Sequence, residues 1–111
     1  MQEKLEALYS TLNSVIPGKV SYGTRVGLEN DPNYIIYQEI TNRAIVYADD
    51  KSIAKIATFQ ISLITEKKDL SLEERLEAAL YFMGYEYDLL TEFVNEDGSI
   101  NRIYEIKQEV F

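Results

Sequence analysis

The 111-residue chain contains no histidine, no cysteine and no tryptophan, and only two prolines and five glycines. Without cysteine there is no disulfide, no thiolate nucleophile and no Cys-built zinc, haem or iron–sulfur site. Without histidine there is no imidazole to act as general base or proton shuttle near neutral pH. Ser-His-Asp and Cys-His chemistries are excluded with them. Only carboxylates, lysine, tyrosine and hydroxyls remain for any enzymatic role. No apolar run approaches the roughly 20 residues needed to span a bilayer. Met1-Gln2-Glu3-Lys4 leads into a polar, helix-like pattern without the apolar core of a signal peptide, so the expectation is a soluble, intracellular protein with no membrane partner.

What is present fits one globular domain over residues 1–111, with 46% hydrophobic residues. Eleven Lys and Arg against 19 Asp and Glu give a net charge of −8. Residues 1–33 carry a net −1, residues 34–70 are neutral and residues 71–111 carry −7. A solvated, solubilising face accounts for such a skew. So does a surface that repels nucleic acid or attracts a basic partner. A basic nucleic-acid footprint is absent, and no direct nucleic-acid binding is expected.

Leu5, Leu8, Leu12 and Val15 recur at helical spacing, and Pro17-Gly18 ends that helix. A short strand over residues 19–22 follows. Residues 23–33 form a connector rich in turn residues, long for a compact domain, and such loops often carry function. Residues 34–48 read as strand, with Thr41-Asn42-Arg43 as a break between two pieces. A long strand over residues 53–65 has Ala57, Phe59, Ile61 and Leu63 alternating with polar positions. Ser71-Leu72-Glu73-Glu74 reads as a capping box for a second helix with Leu72, Leu76, Ala79, Leu80 and Met83 as its buried stripe. Gly84 stands where a left-handed cap belongs. The final hairpin pairs residues 86–95 with 100–111 around a two-residue Asp97-Gly98 turn. That register sets Leu89 against Ile106 and Thr91 against Tyr104. It places Tyr87, Leu89, Phe93, Tyr104, Ile106 and Val110 on the core face, with Glu86, Asp88, Glu92, Glu105 and Glu109 opposite. The expected fold is α+β: a mostly antiparallel sheet with two helices packed on one face, in the order helix–strands–helix–hairpin.

Tyr47-Ala48-Asp49-Asp50 has the form of a metal-binding turn, where adjacent carboxylates hold Mg²⁺ if another strand adds a third. A chain this short and acidic has no room for a polymerase palm or a basic template channel, and a strand-connecting turn is the better reading. Ser52-Ile53-Ala54-Lys55 matches a Ser-x-x-Lys string but lacks its companion motifs. Pro17-Gly18-Lys19 lacks the upstream glycine of a phosphate loop. The acidic hairpin face invites comparison with paired glycosidase carboxylates, yet a two-stranded surface seldom supplies the partly dry cleft they need. No catalytic residue, metal site or cofactor is assigned. Nine tyrosines suit surfaces buried on assembly. Half-burial within the sheet is the better account of Tyr34, Tyr37 and Tyr87, and the two readings are even for Tyr22 and Tyr47.

In its order of elements and short strings the chain resembles the tail-terminator or tail-completion proteins of long-tailed bacteriophages and prophages. The resemblance runs from the helix carrying Leu5 to Val15 through Asp31-Pro32-Asn33 and Tyr34-Ile35-Ile36-Tyr37. It continues through residues 43–50 into Phe59-Gln60-Ile61-Ser62-Leu63-Ile64-Thr65, the helix ending at Gly84 and a terminal strand pair. It implies a non-enzymatic α+β protomer that forms a homo-hexameric ring at the head-proximal end of the tail tube. Such a ring stops tube polymerisation and docks the head connector, so its partners are its own copies, the tail tube protein and the head completion protein. It would reside in the virion tail, and in the host cytoplasm during assembly. By element, the implied contacts lie in the early loop and the middle-strand turn: Tyr22, Arg25, Arg43, Tyr47, Asp49, Asp50 and Lys51. A ring that passes DNA should repel it, which makes Glu86, Asp88 and Glu92 candidates for an acidic lumen face. The alternative is a small acidic DNA mimic that blocks a nucleic-acid-binding protein. A Mg²⁺-dependent carboxylate enzyme at Asp49 and Asp50 ranks last.

Overall fold

The structure, a computed structural model, describes residues 2–46 and 53–110. Its elements are α1 (Gln2–Val15), β1 (Val20–Tyr22), β2 (Tyr34–Val46), β3 (Ile53–Thr65), α2 (Leu70–Phe82), β4 (Tyr87–Val94) and β5 (Ile100–Val110). The strands form one sheet in the order β1-β2-β3-β5-β4. The β2–β3, β3–β5 and β4–β5 pairs are antiparallel. The β1–β2 pair is parallel.

That parallel pair explains the long connector. A strand laid parallel to its sequence neighbour needs a crossover over one face of the sheet. Residues 23–33 make it without a helix. Leu28 pins the crossover by packing on Tyr34 and Ile64, with Ile36 beside them. Lys19 and Asp31, from its two ends, meet at 2.6 Å. The length that suggested a functional loop is thus required by topology.

Apolar periodicity decides which faces are buried. Leu8, Leu12 and Val15 of α1 and Leu72, Leu76 and Leu80 of α2 share one buried cluster with the sheet residues Ile35, Tyr37, Ala57, Phe59, Ile61, Leu63, Tyr104 and Ile106. The buried half of the alternation expected in β3 is realised, since Ala57, Phe59, Ile61 and Leu63 are at most 1% exposed, while Thr58 on the other face is buried as well. Met83 departs from the expected stripe: it is the C-cap of α2 and is exposed.

The ends of α2 show where local chemistry was misread. Asp69, not Ser71, is the N-cap, and its carboxylate accepts from the Leu72 backbone N–H at 3.0 Å. Both residue types cap well, and the earlier one starts the helix; such a cap contributes about 1 kcal/mol. Glu73, in the first turn of α2, turns into the interior and is buried. At the other end Gly84 has φ +83°. The Tyr85 N–H reaches the Leu80 carbonyl at 2.9 Å and the Gly84 N–H reaches that of Tyr81 at 3.0 Å, which is a Schellman motif.

β2 does not break at Thr41-Asn42-Arg43. It continues through a bulge between Glu39 and Thr41, which absorbs one residue without ending the strand. β2 and β3 are each 13 residues long and outrun the helices, so their distal parts form an arm with β5, down to the Lys55–Val110 pair. The molecule is accordingly elongated, 52 × 25 × 24 Å.

The terminal hairpin keeps its strands but not its expected register. Gly98, at φ +89°, follows a turn closed by its own N–H to the Asn95 carbonyl, 2.9 Å, and the Asn95 N–H bonds the Ser99 carbonyl at 2.8 Å. The loop is therefore three residues, a tight turn plus one left-handed glycine, where two were expected. Asp97 reinforces it by accepting from the Ser99 N–H and hydroxyl at 2.9 and 2.6 Å. A second shift occurs between Leu89 and Thr91. Leu89 consequently opposes Tyr104, Thr91 opposes Ile103 and Glu92 opposes Arg102. The bulge exchanges the faces of the two halves of β4. Phe93, expected in the core, is 44% exposed.

Candidate functional site: strand edges and a buried ion cluster

The sequence-derived contact residues do not converge on one place. Tyr22 stacks edge-on against Tyr37 at 5.1 Å, and its hydroxyl accepts from the Glu39 N–H at 3.1 Å just past the end of β1. Arg25 lies over the Tyr34 ring at 4.5 Å and donates to the Glu29 and Asp31 carbonyls at 3.2 and 3.4 Å. Both residues organise the crossover. Arg43 is exposed on the arm. Tyr47, Asp49, Asp50 and Lys51 lie outside the described residues. Among the described residues no group of three or more potential ligands is arranged to hold a metal ion. No described helix is long and apolar enough to cross a membrane.

The proposed acidic face is divided by the bulge. Asp88 opposes Glu105 on the sheet face away from the helices, whereas Glu92 opposes Arg102 on the helix side. There Glu92 joins a cluster that sequence reasoning missed. Arg102 donates to the Tyr104 hydroxyl at 2.6 Å and to Glu92 at 3.1 Å, and it reaches Glu77 at 3.4 Å and Glu73 at 3.5 Å. Lys68 bridges Glu73 and Glu92 at 2.8 and 2.7 Å. The Tyr104 hydroxyl donates to Glu77 at 2.7 Å. Burial works against the Arg102 charge, but its bonds to Tyr104 and Glu92 outweigh that and raise its pKa. Burial likewise pushes the Tyr104 phenol up, with the Glu77 carboxylate adding to it. The Lys68 ammonium holds the Glu92 carboxyl below its usual range. This cluster ties α2 to β4 and β5, and its carboxylates are committed to protein cations. No spacing rule links Arg102 to residues of α2; only the fold brings them together.

Exposed apolar side chains gather on and before one edge of the sheet. β4 is an edge strand, and Leu89, Leu90, Phe93 and Val94 on it are 44–64% exposed. Tyr81, Phe82 and Met83 are 63–82% exposed and lead through Gly84 and two further residues into β4. On the other side of the sheet β1 covers only Ile35, Ile36 and Tyr37 of β2, so among the described residues no strand lies beside the β2 edge beyond Glu39. Ile40, Thr41, Asn42, Arg43 and Ala44 are exposed there. A shallow cleft of about 470 Å³ lies on the arm between Ile40, Arg43, Ile56, Thr58, Glu105 and Lys107.

No protein-family model matches the chain, and no curated protein matches it either. Among solved structures, the chain is similar to one described as the virion of a native gene transfer agent (GTA) particle. The identity is 14% and the TM-score 0.48, over 89% of this chain and 84% of that one.

Proposed function

We propose that the protein is a non-enzymatic structural component of a phage-like particle, assembling as a homo-hexameric ring at the head-proximal end of the tail tube. There it ends tube polymerisation and joins tail to head, with the tail tube protein and the head completion protein as neighbours. The resemblance in the order of elements supports the reading. The observation that carries the reading is the exposed edge strand β4 with its four apolar side chains, preceded by Tyr81-Phe82-Met83. Monomeric proteins blunt such edges with charge, proline or a covering loop, and they rarely expose contiguous apolar surface. β4 carries a bulge and charged residues, yet Leu89, Leu90, Phe93 and Val94 stay exposed along it, which supports a contact there. The arm of β2 and β3 projects beyond the helices and suits an axial contact with tube or connector. Glu86 and Asp88, both exposed, remain as carboxylates for a DNA-repelling lumen, while Glu92 is withdrawn into the ion cluster.

The DNA-mimic alternative asks for carboxylates free along one surface. The gathering of Glu73, Glu77 and Glu92 around Arg102 and Lys68 weighs against it.

Particles produced without the protein should carry tails of unregulated length that are not joined to heads, seen by negative-stain microscopy. Normal, joined tails in its absence would overturn the reading.

A further inference from the structure

Among the described residues the sheet has two uncovered edges, and they differ. One is β4 (Tyr87–Val94), eight residues at one side of the strand order. The other is the distal part of β2, residues 40–46, at the opposite side, left bare because β1 stops at Tyr22. Their lengths match to within a residue. Their charges are complementary. Residues 86–94 carry the exposed carboxylates Glu86 and Asp88, besides Glu92 held by Lys68 and Arg102, and no base of their own. Residues 40–46 carry Arg43 and no acid, and the adjoining residues 53–57 of β3 add Lys55 and no acid.

We infer that β4 of one copy adds as a strand to the distal β2 edge of the next copy, extending the sheet from protomer to protomer. This rests on the ring reading above and names its joint. An edge offers a row of unpaired N–H and C=O groups, so an added strand gains main-chain hydrogen bonds and covers apolar side chains together. Leu89, Leu90, Phe93 and Val94 would be covered from one copy, and Ile40 from the next. The occupant is a second copy because both halves of the joint are on this chain. The contact is heterologous, since the two patches are different surfaces on opposite sides of one sheet; such contacts generate closed rings when the rotation per subunit closes. Self-pairing of β4 is disfavoured, because each strand brings the exposed carboxylates Glu86 and Asp88 while Lys68 and Arg102 are already engaged with Glu92.

The absence of cysteine makes the test clean. Asn42→Cys and Leu90→Cys are made in separate chains at exposed positions, and each variant is checked for unchanged thermal unfolding. Equal amounts are mixed and treated with a short thiol-to-thiol crosslinker, while light scattering follows assembly mass. The expected result is a 42–90 linked dimer in the mixture and none from either variant alone. Leu90→Lys, which charges the edge without touching the core, should abolish the high-mass species. Linking of Leu90→Cys to itself would overturn the inference in favour of an isologous dimer. A ring mass without the 42–90 link, or one that survives Leu90→Lys, would overturn the joint and leave the ring standing. A monomer at every concentration, and in the presence of tail tubes, would remove both.

Discussion

Arg102→Met lowers stability by about 3 kcal/mol, which for a domain of this size lowers Tm by roughly 10 °C or more. The guanidinium is 16% exposed and stands among Glu73, Glu77 and Glu92, of which Glu73 is 5% exposed. Removing the cation leaves Lys68 alone to serve the cluster and deprives the Tyr104 hydroxyl of its donor. The partial exposure of Glu77 and Glu92 keeps the loss at the lower end of the range for broken buried pairs. Pairing Arg102→Met with Glu73→Gln should recover part of it, giving a coupling in a double-mutant cycle of chemical denaturation. The pH profile has a definite sign. The folded pKa of Glu92 is depressed, with the hydrogen bond from Lys68 as its largest cause. The stability it contributes is present above the unfolded carboxylate value of about 4.3 and is lost as pH falls through the folded value. Arg102 supplies a smaller part of that depression, so the gap between parent and variant should narrow in acid. A loss below about 1 kcal/mol at neutral pH would mean that the cluster is no more than a surface ion pair.

Phe59→Ala should destabilise by about 3–5 kcal/mol through lost burial and the cavity left behind. Phe59 is fully buried in the central strand, opposite Ile106 on β5 and beside the β2 bulge at Glu39. Because the strands on both sides depend on it, the loss should appear in global unfolding by calorimetry, without a separate local transition. Phe59→Leu, which keeps most of the volume, should recover the larger part. Neither variant alters an edge, so a folded Phe59→Leu chain should still assemble.

These two positions mark what was and was not legible in the sequence. Phe59 was readable because alternation in β3 is a local signal that the buried face enforces. The same holds for Leu8 and Leu12 in α1, Leu76 and Leu80 in α2, and the cap at Gly84. Arg102 was not readable, because its partners lie on α2 and β4 and only the packing of α2 against the hairpin joins them. The hairpin register failed for two small reasons with a large effect. One extra residue in the turn moved Phe93 and Glu92 to the faces opposite those expected, and the bulge near Leu90 returned Tyr87 and Leu89 to the expected face. Asp69 was passed over because Ser71 with Glu74 matched a familiar capping pattern. The parallel β1 strand was hidden because a three-residue strand carries too little periodicity to show its partner. At the candidate interface, composition revealed the acidity of the last third, but not that three of its carboxylates are spent on internal cations. The exposed edge of β4 was concealed by a pattern that read as core.

Electron cryomicroscopy of isolated tails, with the protein labelled, should show a six-fold ring of the protein at the head-proximal end of each tube and nowhere along its length. Absence of the protein from that end, or its presence as a single copy, would contradict the ring.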